Sequence, residues 1–179
     1  YAQNFSVSGQ DSGPYSVAFK DDGLRMYILG NATDSVYSYT LTTAWDTSTA
    51  SFDFPTEGYF SVAEEETIPT GLFFKPDGTK VYVCGLISDN VNEYDLSTAW
   101  EVSSASYVQN FSVSAQEGNP QGLFFKPDGT KMYVLGNDGD DVNEYSLSSA
   151  WDISTSSYVQ NFSVSTEDTQ PTSLFFKPD

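Results

Sequence analysis

Short apolar runs, each cut off by turn residues, follow one another along the whole chain, and none has helical spacing or helical length. Reading from Gly122, the first run reaches Phe125 and stops at Lys126-Pro127-Asp128-Gly129-Thr130-Lys131. Proline presets the first dihedral of a turn and glycine accepts the positive φ that other residues resist, so this segment predicts a hairpin. The second run, Met132 to Leu135, closes at Gly136, and an acidic loop leads to the third, Val142 to Leu147. Ser148 to Asp152 then leads to the fourth, Tyr158 to Val164. Aromatic and β-branched residues fill all four, which predicts strands. Leu123-Phe124-Phe125 and Tyr133-Val134-Leu135 are apolar on both faces, as in strands sandwiched between sheets. The fourth run alternates and so has one wetter face, placing it at an outer edge.

This unit recurs. Leu72-Phe73-Phe74-Lys75-Pro76-Asp77 returns at Leu123 and again at Leu174, with Lys75, Lys126 and Lys177 each 51 residues apart. A diverged copy, Val17-Ala18-Phe19-Lys20, lies 55 residues earlier, the difference being four extra residues around Phe54-Pro55-Thr56-Glu57. Trp45, Trp100 and Trp151 each stand 25 residues after the repeat lysine. A period of about 40–50 residues marks a solenoid or propeller whose units bury their faces against neighbours. With four antiparallel strands per unit, the prediction is an all-β fold, a β-propeller of four-stranded blades. Residues 1–8 read as the outer strand of a preceding blade, 15–62, 71–114 and 122–165 as blades, and 173–179 as the inner strand of a following one. That makes fourteen strands, or three and a half blades. Propellers close with about four to eight, so the chain is expected to be covered by further repeats or by copies of itself.

The run Pro69-Thr-Gly-Leu-Phe-Phe-Lys-Pro-Asp-Gly-Thr-Lys-Val-Tyr-Val83 resembles propeller repeats of the YVTN and lactonase-like group. The longer unit, with Asn143-Glu144-Tyr145 and Tyr158-Val-Gln-Asn-Phe-Ser-Val-Ser165, is similar to repeats of marine environmental and bacteriophage-associated proteins. The resemblance covers practically the whole chain and implies the fold. It leaves function open, because propellers host many activities. In lactonase-like propellers it implies acidic and Asn/His ligands around a central metal, and no non-repeated constellation of that kind is seen here.

Charge narrows the partners. The net charge is −18 with only seven basic residues, all at two repeat positions flanking the first hairpin. Nucleic-acid binding needs clustered phosphate-neutralising cations and is excluded. No apolar run approaches the roughly 20 residues of a membrane span. Propeller geometry puts the basic residues on one face. The loops of the other face collect Asp11, Asp34, Glu64, Glu65, Glu66, Asp89, Glu117, Asp138, Asp140, Asp141, Glu167 and Asp168. A molecule polar along its axis is expected, able to stack head to tail into a filament. Cys84 stands where Leu29 and Leu135 stand and reads as a small apolar residue.

Three candidate sites remain. Asp138, Asp140 and Asp141 surround Gly139 in the one stretch that suits the oxygen ligation of Ca²⁺, although a solvated acidic turn is the simpler account. No other cofactor is implied. Trp45, Trp100 and Trp151 could stack on sugars of a glycan partner, or plug the blade bottoms against their neighbours. Asn4, Asn31, Asn110 and Asn161 head glycosylation sequons, meaningful if the source is eukaryotic. There is no histidine, and Glu93 and Glu144 recur with the repeat, so no catalytic group is expected. The expected function is therefore a non-enzymatic structural or adhesive propeller of a virion, filament or cell surface, and extracellular. A carbohydrate- or calcium-dependent binding module comes second and a lactonase-like hydrolase third.

Overall fold

The computed structural model describes residues 4–53 and 58–177, and within them the chain folds as three antiparallel sheets set side by side. The first contains β1 (Pro14–Phe19), β2 (Arg25–Gly30), β3 (Ser35–Leu41), β4 (Ala50–Phe52) and β5 (Tyr59–Ser61). The second contains β6 (Pro69–Phe74), β7 (Lys80–Gly85), β8 (Asn90–Leu96) and β9 (Ala105–Ser112). The third contains β10 (Pro120–Phe125), β11 (Lys131–Gly136), β12 (Asp141–Leu147) and β13 (Ser156–Ser163). Within each sheet the strands pair in sequence order, the meander of a propeller blade.

The blades share fine structure as well as topology. Each first ladder carries an irregularity at one place, between Pro14 and Ser16, Pro69 and Gly71, and Pro120 and Gly122. Proline has no N–H for the ladder, so a bulge forms where it enters. Gly23, Gly78 and Gly129 take φ of 69°, 74° and 72° in the first hairpin, the conformation for which glycine is suited. The step into the fourth strand includes a short 3-10 turn in every blade, at Thr47–Thr49, Val102–Ser104 and Ile153–Thr155. The sequence pattern does not reveal these turns, because three residues are too few to show a period. Asp46 and Asp152 cap two of them by accepting from the Ser48 and Ser154 amides.

Strands number thirteen among the described residues, not fourteen. The fourth strand of the first blade is in two pieces, β4 and β5, which both pair with β3. The four-residue insertion falls between them, at positions outside the described residues, as do 1–3 and 178–179. Residues 4–7 and 173–177 form no ladder.

The core lies between blades. Tyr27, Leu29 and Val36 of the first blade pack against Leu72, Phe74 and Val81 of the second. Tyr82, Cys84 and Val91 of the second pack against Leu123, Phe125 and Tyr145 of the third. Cys84 is fully buried, and burial lifts its thiol to about 11, so it serves as an apolar side chain. One aromatic contact repeats at every joint: Tyr27–Phe74 at 4.3 Å, Tyr82–Phe125 at 4.4 Å and Tyr133–Phe176 at 4.5 Å. The last of these seats the C-terminal segment where a first strand sits in the other joints. Likewise Phe5 meets Tyr39 edge-on at 5.5 Å, as Phe111 of β9 meets Tyr145 at 5.5 Å. Each such ring, once buried, contributes on the order of 1.5–3 kcal/mol.

Candidate functional site

On the acidic face, one buried carboxylate per blade ties two loops together. Glu66 lies in the segment entering the second blade and is 1% exposed. Its Oε1 accepts from the amides of Ile68 and Ile87, and its Oε2 from the amide and hydroxyl of Ser88 at 3.1 and 2.7 Å. Glu117 does the same for Asn119, Asp138 and Gly139. Asp11, one methylene shorter, reaches Gly13, Ala32 and Thr33. Burial raises the Asp11 pKa, but the Thr33 hydroxyl and three backbone amides outweigh it and hold the carboxyl below its usual range. These carboxylates satisfy loop amides that would otherwise be orphaned. Sequence reading grouped them with the surface acids. The signal that could have separated them is the glycine closing every second strand, explained below by the same contact.

Three further acids follow a second rule. Asp34, Asp89 and Asp140 take φ of 51°, 49° and 47° just before the third strand, a conformation that Asp and Asn adopt more readily than most residues. Each has an Oδ1 that is buried without a hydrogen-bond partner among the described residues. Burial, and then the charges of Asp11 and Glu66, raise the Asp34 pKa. Burial and Glu66, with Asp138, raise that of Asp89.

Asp138, Asp140 and Asp141 are not brought together. Asp138 is exposed, and Asp141 is buried, accepting from Asn143 Nδ2 at 2.5 Å and from Asn161 Nδ2. Among the described residues no three His, Cys, Asp or Glu side chains gather as metal ligands. The acidic turn therefore does not fit the Ca²⁺ coordination that its sequence suggests.

The opposite face carries the tryptophans. Trp45, Trp100 and Trp151 have φ of 64°, 68° and 68°, uncommon for a bulky side chain. Each indole lies over the glycine of its blade's first hairpin, where an added Cβ would sit 2.3–2.4 Å from Nε1. Each Trp amide donates to that glycine's carbonyl at 2.9–3.0 Å. The Trp carbonyl is in turn an acceptor for the preceding blade: Tyr27 donates to Trp100 at 2.9 Å, and Tyr82 to Trp151 at 2.7 Å. The ring faces are used too, with Trp100 stacked near Phe74 at 5.7 Å and Trp151 near Phe125 at 5.7 Å. Trp45 is 58% exposed.

Six of the seven basic residues are ion-paired on this same side. Lys20, Lys75 and Lys126 hold Asp22, Asp77 and Asp128 in their own turns at 2.6–2.7 Å. Lys80 joins buried Glu93 at 2.5 Å and Asp95 at 2.6 Å, and Lys131 joins Glu144. Glu93 also takes Gln109 Nε2 at 2.9 Å. The first blade has Ser38 in place of that glutamate. There Asp53 supplies the carboxylate, accepting from Ser38 Oγ at 2.7 Å and lying 3.8 Å from Arg25. The face with the basic residues is thus not a positive face, and the charge-driven head-to-tail stack loses its cause.

Of the sequon asparagines, Asn4 and Asn110 are exposed and Asn31 is half-buried. Asn110 Nδ2 donates to Tyr107 at 2.9 Å, and that of Asn161 is engaged by Asp141.

The architecture defines a β-propeller, and solved structures agree. A Bacteroides fragilis protein provisionally named 6-phosphogluconolactonase aligns with a TM-score of 0.61 at 18% identity, over 83% of this chain and 41% of that one. The periplasmic gluconolactonase of Pseudomonas aeruginosa aligns at 0.54 and 19%, over 88% and 42%. Hydrazine synthase of Kuenenia stuttgartiensis aligns at 0.59 and 20%, over 97% and 41%. No protein-family model and no curated protein matches the sequence. The chain spans about two fifths of the length of these structures, and at this identity the likeness shows the fold. It also brings a correction. The absence of histidine and the repetition of the carboxylates do not exclude catalysis, because lactonase-named propellers share this architecture. Among the described residues no helix is long and apolar enough to cross a membrane.

Proposed function

We propose that this chain is a structural or adhesive propeller module of an extracellular, virion or cell surface. One observation supports the reading above the others: the recurring chemistry-bearing side chains are engaged in holding loops and blades. Glu66 and Glu117 bind loop amides, Trp100 and Trp151 receive tyrosines of the preceding blade, and Glu93 holds Lys80. The names of the structural neighbours favour a second reading, hydrolysis of a sugar lactone. Both can be tested with one preparation. Beads coated with the chain should be retained on polysaccharide-coated surfaces where bare beads wash off. Failure of retention, together with lactone turnover lost on a single carboxylate substitution, would replace the first reading by the second.

A further inference from the structure

One cross-strand pair sets the first blade apart from its repeats. Tyr37 of β3 pairs with Tyr59 of β5, where the second blade pairs Asn92 with Asn110 and the third Asn143 with Asn161. The two tyrosine rings stack at 5.7 Å and 26°, and Phe52 meets Tyr37 at 6.0 Å. They form the aromatic wall of a cleft of about 640 Å³ at the outer edge of the blade. Tyr37 is 8% exposed and Tyr59 is 55% exposed. Asn110 is exposed as well, on a blade packed against a neighbour on each side, so an open side chain at this place belongs to a blade's outer edge.

The polar lining of the cleft is ordered from beneath. Buried Asp11 accepts from Thr33 Oγ1 at 2.6 Å, and Thr33 Oγ1 lies 2.8 Å from the Tyr37 hydroxyl. The single Thr33 proton goes to the carboxylate, so Tyr37 donates to Thr33 and its oxygen is left as an acceptor. Ser35 Oγ donates to the Thr33 carbonyl at 2.9 Å and is likewise left to accept. Gln10 Oε1 takes the Tyr39 hydroxyl at 3.3 Å, which leaves Nε2 to donate. Aromatic faces beside a few oriented polar groups are the make-up of a small-molecule site. Unlike the carboxylates and tryptophans that hold the blades, this set occurs once among the described residues. We propose that the cleft binds a neutral hexose unit of a polysaccharide, its C–H face on Tyr59 and its hydroxyls on Tyr37, Ser35 and Gln10. A pyranose offers an apolar face flanked by hydroxyls that both donate and accept, which matches the lining group by group. No basic side chain lines the cleft and the net charge is −18, which disfavours an acidic sugar. Such binding rests on the adhesive reading above and gives it a site.

Electrophoresis of the 179-residue chain through gels cast with laminarin or hydroxyethylcellulose, both neutral, or with polygalacturonate tests this. Tyr37→Asn and Tyr59→Asn place in the first blade the residue that its repeats carry there, so both suit the ladder, and circular dichroism checks their fold. The wild type is expected to be retarded by a neutral polymer and not by polygalacturonate. Each variant should lose about tenfold in affinity, the worth of one aromatic contact. Undiminished retardation of either variant would overturn the site and leave the adhesive reading standing, as would equal or stronger retardation by polygalacturonate. Free passage of the wild type through all three gels would overturn both. Should a variant lose its β-sheet spectrum, Tyr37→Phe is read in its place. It keeps the ring, removes the accepting oxygen and is expected to weaken binding about threefold.

Discussion

The carboxylate of Glu117 occupies the space that a side chain at Gly136 would need. A Cβ built at Gly136 would lie 2.0 Å from Glu117 Cδ, as one at Gly85 would lie 2.3 Å from Glu66 Cγ and one at Gly30 2.2 Å from Asp11 Cγ. None of these three glycines has a positive φ, so the requirement is for room and not for a turn. Gly136→Ala is expected to destabilise the fold by about 1–3 kcal/mol, the usual range for overpacking. Glu117→Ala should cost a similar amount by orphaning loop amides. Combined, the two should cost clearly less than their sum, because the alanine methyl then enters emptied space. Denaturant unfolding of the four proteins checks this, and strict additivity would refute the contact.

The tyrosine that crosses each joint gives a second expectation. Tyr82→Phe removes the hydroxyl donor of the Trp151 carbonyl and should cost about 1–2 kcal/mol. Tyr133→Phe, at the same place in the third blade, should cost less, since among the described residues no tryptophan carbonyl accepts from it. Equal losses for the two would mean that the hydrogen bond is not what holds the joint.

Substituting an acid should stabilise. Burial, then the charges of Glu66 and Asp138, disfavour the ionised form of Asp89, and it holds a φ that asparagine also accepts. Asp89→Asn is expected to add about 0.5–1 kcal/mol, or roughly 1–4 °C in Tm for a chain of this size. Its folded pKa is raised, so the advantage should grow as pH rises through that value. A lower Tm at neutral pH would show that its buried Oδ1 has a partner worth more than the repulsion.

Acid should act in the opposite sense at Asp77. Burial pushes its carboxyl up, but Lys75 and Thr79 prevail and bring it down to about 2 from 3.8. Its ionised form therefore supports the fold above the unfolded value, and this support is lost as pH falls from about 4 through about 2. Asp11 works in the same direction. Melting curves across that interval should fall more steeply for the wild type than for Asp77→Asn; parallel curves would contradict the assignment.

The blade pattern was legible because it is written in short-range alternation and turn chemistry repeated along the chain. Lys126-Pro127-Asp128-Gly129 announces its hairpin, and Tyr158 to Val164 its wet outer edge. The roles of Glu66 and Glu117 were not, because an acid one residue from other acids, as Glu64-Glu65-Glu66 is, looks like surface until its depth is known. The acidic turn was open to either reading: Asp138, Asp140 and Asp141 are neighbours in sequence, but Asp138 is exposed while Asp141 is buried and engaged by Asn143. The basic face misled because the partners of five lysines lie two residues away or across a ladder, as with Lys75–Asp77 and Lys80–Asp95. The tryptophans were open to either use, and their left-handed backbone could not be read from residue type.

The central claim is that buried carboxylates lock the loops of one face to the blades. Site-resolved amide hydrogen exchange measures it most directly, at Ser88 and Gly139 in the wild type and in Glu66→Gln and Glu117→Gln. The wild-type amides should exchange nearly as slowly as those of the adjoining strands, and each variant should release its own loop alone. Fast exchange at both loops in the wild type, unchanged by either substitution, would contradict it.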